Sequence, residues 1–185
     1  MKTNAAGMKL IKDSEGLRLT AYLDMVGVPT IGWGCTVGVT KADVTNKRTI
    51  TVQQAEDMLQ KELAGFESGV LKYVKVPLNE NEFAALVSFS YNLGLGSLQQ
   101  STLLRLLNQN NRADAAEEFV KWDHAGADHH EVQALKTRRL AERALFLTPI
   151  DDGGINPPEL PDLDIPSDQD INVTLEDIEN EVLKK

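Results

Sequence analysis

Three side chains near the N-terminus have the types and spacing that hydrolytic chemistry needs: Glu15, Asp24 and Thr30. Cleaving a glycosidic bond takes one carboxylic acid to protonate the leaving oxygen and a second carboxylate to handle a nucleophilic water. Glu15 and Asp24 supply the two carboxyls, nine positions apart, and Thr30, six further on, offers a hydroxyl able to hold a water against Asp24. The set requires no metal. Spacing alone is weak support, because acidic pairs at this separation are common and most are solvated surface charges. The surrounding sequence has to carry the reading.

The elements that must position these residues are legible around them. Asn4 is a plausible cap, and Ala5, Met8, Ile11 and Lys12 recur at helical spacing, so residues 4–14 read as a first helix with the Lys12 stem lying along it. Glu15-Gly16 ends it, since glycine suits a helix C-terminus. Glu15 thus falls where a helix meets a glycine-rich stretch, a junction that can face a cleft between two lobes. Residues 17–50 read as a small antiparallel sheet of tight hairpins, with Asp24 inside the hairpin Tyr22-Leu23-Asp24-Met25-Val26-Gly27.

At Thr51 the pattern changes. Thr51-Val52-Gln53-Gln54 matches a capping box, and Ala55, Met58, Leu59, Leu63, Phe66 and Val70 then keep one apolar face. This predicts a long helix, stopped by Pro77, that would bridge the two lobes. Further helices are expected over about 79–92, 101–108, 112–122 and 131–146, with Gly94 and Gly96 separating the first pair. The fold class is α+β. After Leu147 the composition shifts: five of the seven prolines fall at or after Pro149. Residues 1–147 therefore read as one domain and 148–185 as an acidic, proline-rich tail. Within the tail, 148–172 reads as an extended or disordered linker and 174–183 as a candidate short helix with Leu175, Ile178 and Val182 on one face.

Bulk composition narrows the function classes. The chain has 185 residues, 42% hydrophobic and 25% charged, as a soluble globular protein does. Roughly 150 residues bury enough surface to fold without disulfides or metals. The net charge of -9 sits in the tail, where residues 151–185 carry 11 acidic and 2 basic side chains. The rest is balanced, which argues against nucleic acid as a partner. Cys35 is the single cysteine, so an intrachain disulfide and a thiolate zinc site are both excluded, and synthesis in a reducing cytoplasm fits. No apolar signal region opens the chain, and no run approaches the ~18 apolar residues of a membrane span. A substrate outside the cytoplasm would then need another agent to let the protein out.

Residues 10–36, LIKDSEGLRLTAYLDMVGVPTIGWGCT, resemble the opening of the phage-type lysozymes, glycoside hydrolase family 24. That family's E-G-x-x-x-x-A-Y-x-D and T-I-G-x-G-H are matched by Glu15, Gly16, Ala21, Tyr22 and Asp24, then by Thr30, Ile31, Gly32 and Gly34. Residues 76–94, VPLNENEFAALVSFSYNLG, are similar to a second family segment, as are Ser101-Thr102-Leu103 and Arg138-Arg139-x-x-Glu142. The likeness covers about residues 5–147.

The resemblance implies a lysozyme-like fold: a small three-stranded β lobe and a helical lobe, joined by a long helix, with a cleft between them. It implies an endolysin that hydrolyses the β-1,4 bond between N-acetylmuramic acid and N-acetylglucosamine of peptidoglycan, with inversion, and so lyses the host cell. Glu15 would be the general acid, and Asp24 the base or electrostatic partner for a water positioned with Thr30. Inversion needs the carboxyls roughly 6.5–9.5 Å apart. Partial burial in the cleft favours a protonated acid, whereas the family's cation beside it, here Arg138 or Arg139, opposes that. Thr36, Tyr91 and Ser101 match sugar-contacting positions. No cofactor and no metal are implied. The expected partner is the glycan strand, bound by a monomer that neither inserts stably in a membrane nor binds nucleic acid. It would be made in the bacterial cytoplasm and reach the periplasm and wall through a holin-type lesion.

Cys35 stands where the family commonly has histidine, a position that is usually structural. It supports a rival: a wall-degrading cysteine amidase with His124, His129 or His130 as base. The plainer reading is a half-buried thiol. A second rival is a non-catalytic peptidoglycan-binding module, against which the intact Glu15, Asp24 and Thr30 set argues. His129-His130 beside Asp128 suggests a metal pair, but adjacent residues on a helix point about 100° apart and rarely share one ion. A solvated loop is the better account. Trp33 and Trp122 are either sugar-stacking or core residues. The tail is either a solubilising extension or a segment that packs back or binds a partner.

Overall fold

A computed structural model describes residues 1–125 and 130–150. The expected linker beyond residue 150, the expected helix at 174–183, and Asp128 and His129 of the His129-His130 metal reading lie outside the described residues.

Helix α1 (Ala5–Glu15) forms as its caps predict. The Asn4 side chain accepts from the Gly7 N–H at 3.0 Å, and Gly16, at φ 67°, closes the last turn by donating its N–H to the Lys12 carbonyl. Leu10 and Ile11 are buried. A Cβ on Gly7 would come within 2.6 Å of the Ala84 Cβ, so the small residue lets α1 lie close against a later helix.

Strands β1 (Arg18–Leu23) and β2 (Pro29–Gly32) pair antiparallel, with Tyr22 opposite Thr30 and Leu23 opposite Pro29. The expected third strand is reduced to one bridge, Thr20 to Thr49, flanked by bonds from the Ala21 N–H to the Arg48 carbonyl and from the Ile50 N–H to the Leu19 carbonyl. The chain before it is used differently. Residues expected in the sheet form a short helix, α2 (Lys41–Thr45), behind a Thr40–Asp43 capping box, and Lys47 at φ 51° then turns the chain back.

Helix α3 (Val52–Tyr73) starts at the predicted Thr51–Gln54 capping box, in which both reciprocal bonds are made, and buries Ala55, Leu59, Leu63 and Val70. It ends four residues before Pro77. The Asn108 side chain takes over there, donating to the Tyr73 carbonyl at 3.1 Å and accepting from the Lys75 N–H at 2.7 Å.

Helix α4 (Glu80–Leu93) is buried at every position from Glu82 to Ser90. A helix buried on all its faces belongs in the middle of a domain, and α1, α3, α5 (Leu95–Gln100) and α8 (Gln133–Leu147) pack around it. Between α5 and α8 come α6 (Thr102–Asn108), α7 (Arg112–Glu118), a 3₁₀ turn at Phe119–Lys121, and a two-residue pairing of β3 (His124–Ala125) with β4 (His130–Glu131). Sequence periodicity predicted neither α5 nor this pairing. Phe89 sits against Phe119 and Trp122 with ring centroids 5.6 and 5.5 Å apart, both edge to face. Trp122 packs against the core, and Trp33 is buried in it.

Candidate active site

Glu15 is the last residue of α1, and four parts of the chain meet at its carboxyl. Oε1 accepts from Arg138 Nη1 of α8 at 2.6 Å. Oε2 faces Gly34, where a Cβ would sit only 2.9 Å away, and Gly34 also holds φ +78°, so both contact and backbone call for glycine. Tyr91 of α4 closes the third side, its hydroxyl donating to the Trp33 carbonyl at 2.8 Å. Glu15 is 16% exposed at its side chain and Arg138 only 5%. Burial works against the Arg138 charge, but Glu15 and Glu142 beside it outweigh that and raise its pKa.

Asp24 leaves β1 into a tight turn. Its Oδ1 accepts from the N–H groups of Val26 at 3.0 Å and Val28 at 2.7 Å, and its own N–H donates to the Val28 carbonyl. Thr30 is 3% exposed, and its hydroxyl donates to that same Val28 carbonyl at 2.9 Å. Val28 therefore couples the two side chains through its two backbone groups. Because the Thr30 hydrogen is committed to Val28, the hydroxyl oxygen presents lone pairs and acts as an acceptor.

Cys35 is fully buried rather than half-buried, paired across backbone bonds with Ile31. Burial pushes its thiol up to about 12, so it carries no thiolate at neutral pH. A nucleophilic cysteine needs the opposite shift, and the amidase reading loses its nucleophile.

Thr36 donates through its N–H and its hydroxyl to Glu62 of α3, each at 3.2 Å. Tyr91 lies beside Glu15, with its ring edge to face on Phe66 at 5.3 Å. Ser101 stands apart. It is 5% exposed and caps α6, accepting from the Leu104 N–H at 3.0 Å and donating to the Leu98 carbonyl at 2.7 Å. Its hydroxyl is thus used by the helix, at the edge of a cavity of about 300 Å³ that Gln99, Gln100, Thr102 and Arg105 also line.

Sequence reasoning missed Glu62 and Ser88, and it placed Glu142 in a family-like stretch without giving it a role. Glu142 had a signal, its i+4 and i+3 spacing from Arg138 and Arg139. Glu62 and Ser88 had none, since their partners lie 26 and 54 positions away. Among the described residues no group of three or more His, Cys, Asp or Glu is placed to hold a metal, and no helix is long and apolar enough to cross a membrane.

Comparison with known proteins places the chain in a family. A phage lysozyme family profile matches residues 12–142. The chain is 44% identical over 151 residues to the endolysin of Bacillus phage PZA, covering 79% of this chain and 55% of that protein, so it spans little more than half of that relative. It is 40% identical over 148 residues to the endolysin of Salmonella phage P22, covering 80% and 99%. The solved muramidase domain of SpmX from Asticaccaulis excentricus superposes with a TM-score of 0.74 at 34% identity, over 80% of this chain and 99% of that one. With the profile spanning most of the folded body and relatives well above 30% identity, the chain belongs to the phage lysozyme family.

Proposed function

We propose that this chain is a peptidoglycan-hydrolysing endolysin, a muramidase that cleaves the β-1,4 bond between N-acetylmuramic acid and N-acetylglucosamine. The observations that carry the reading are the two units just described: a carboxyl held by Arg138 at the end of α1, and an Asp24–Val28–Thr30 unit in the hairpin that follows in sequence.

Glu15 gives its proton to the glycosidic oxygen as the bond to the anomeric carbon breaks, and the released sugar keeps that proton as its hydroxyl. Arg138 then faces a carboxylate, which its charge stabilises as the proton leaves. On the other side, one water sits between two acceptors, Asp24 and the Thr30 oxygen. Both of its hydrogens are directed at those groups, so a lone pair points to the anomeric carbon. Attack from the face opposite the leaving group inverts the configuration, and Asp24 receives the water's proton. Exchange with solvent then removes the proton from Asp24 and returns one to Glu15, which restores both groups. Thr36 and Tyr91 contact the sugar directly, and Ser101 contributes by fixing the corner between α5 and α6. The protein is made in the bacterial cytoplasm and reaches the wall through a holin-type lesion.

The bond cleaved separates this reading from its rivals. Purified sacculi treated with the protein should release new reducing ends on muramic acid and no new amino groups. New amino groups would instead mark an amidase, and release of neither would mark a binding module.

A further inference from the structure

Behind Glu15 the charges alternate inward through α8. Arg138 Nη1 reaches Glu15 at 2.6 Å, Arg138 Nε reaches Glu142 Oε1 at 3.3 Å, and Arg139 Nη2 reaches the same Oε1 at 2.8 Å. Ser88 of α4 donates its hydroxyl to that oxygen as well, at 2.8 Å. Glu142 and Arg139 are completely buried. The remaining Glu142 oxygen, Oε2, and Arg139 Nε and Nη1 are buried without a hydrogen-bond partner among the described residues.

This is a poor design for stability. Buried ion pairs often contribute no more than a packed hydrophobic group of the same size. What the cluster does achieve is geometric. Glu142 and the Ser88 carbonyl, the latter 3.3 Å from Arg138 Nη2, hold two edges of the guanidinium, which leaves Nη1 aimed at Glu15. It also divides charge, because Arg138 faces two carboxylates rather than one.

We propose that Glu142 is a positioning residue for the acid: it fixes the Arg138 guanidinium and takes up part of its charge, so that Glu15 can carry the proton it must donate. The proposal rests on Glu15 being that acid. The other groups around Glu15 leave this role to α8. Tyr91 from α4 and Cys35 from the turn after β2 are both uncharged at neutral pH, since burial raises each of them, and Glu62 of α3 sits beyond them, bonded to Thr36. Arg139, further along α8, also acts on Glu15, but weakly and at longer range.

The test is a pair of variants with opposite expected signs. Glu142→Gln keeps the shape and removes the charge, which leaves Arg138 wholly to Glu15. kcat on sacculi should fall by about 10- to 100-fold with KM little changed, and the alkaline limb of the activity profile should move to lower pH. Ser88→Ala removes only the hydroxyl bond to Oε1, which leaves Glu142 to bind Arg138 more strongly, so the alkaline limb should move to higher pH. Limbs that stay in place, or that move together, would overturn the proposal. Should Glu142→Gln fail to fold, the Ser88→Ala limb decides alone, because upward movement supports the proposal and none refutes it. An active Glu15→Gln variant would sink the acid assignment itself, whereas an inactive one beside unmoved limbs sinks only the role given to Glu142.

Discussion

A methyl group at position 34 would lie 2.9 Å from Glu15 Oε2 on a backbone already at φ +78°. Gly34→Ala is therefore expected to lose about 1–3 kcal/mol of stability and, because the carboxyl must move, a larger share of activity than of fold. Thermal unfolding beside a sacculus assay checks this, and a variant with wild-type melting and rate would contradict it. The next residue behaves differently. With its thiol buried and held uncharged, Cys35 should resist a thiol reagent at pH 8 in the folded protein and react fully in denaturant. Cys35→Ser should keep its specific activity, and loss of activity in a well-folded Cys35→Ser protein would revive the nucleophile. Glu15, Asp24 and Thr30 could be proposed from sequence because one short stretch holds all three and that stretch resembles the family's opening segment. The partner of Glu15 was narrowed to two arginines by resemblance, and geometry selects Arg138. Glu62 was invisible, because its bond to Thr36 depends on how α3 meets the turn after β2.

Among the elements, caps were the most readable features. Asn4, Thr51 and the Gly16 stop act within four residues, and the structure makes each of those bonds. Elements set by distant contacts were not readable. Helices α2 and α5 are too short for a period to emerge, and the end of α3 is decided by Asn108 rather than by Pro77. Another long-range tie fixes the start of α1. Glu67, on the buried side of α3, accepts from the Thr3 N–H at 2.9 Å, the Thr3 hydroxyl at 3.0 Å and Lys2 Nζ at 2.8 Å. Burial opposes its charge, yet the Lys2 and Thr3 bonds prevail and hold its pKa below the ordinary 4.5. A carboxyl depressed on folding stabilises the protein above its unfolded pKa, and that contribution fades as pH falls through the folded value. Glu67→Gln should accordingly cost about 1–2 kcal/mol near neutral pH, with the gap from wild type closing below pH 4. Melting curves across pH measure it, and a gap constant down to pH 3 would contradict the assignment.

For the whole molecule, α4 is the axis on which the site is assembled. Gly7 lets α1 approach Ala84, and Ser88 and Tyr91 project from the same helix toward Glu142 and Trp33. The candidate acid and its arginine are 123 positions apart, so their meeting depends on this packing and not on any local signal. The α+β class and the long α3 were foreseeable from period and capping. The shrinkage of the third strand to one bridge was not, since it follows from the chain forming α2 instead. All of this packing converges on the claim that Glu15 is the proton donor. The most direct test counts reducing ends released from purified sacculi by wild type and by Glu15→Gln at matched folded concentration. The account predicts a loss of at least about 100-fold, within the range that general acid catalysis contributes; a Gln variant that cleaves as fast as wild type would contradict it.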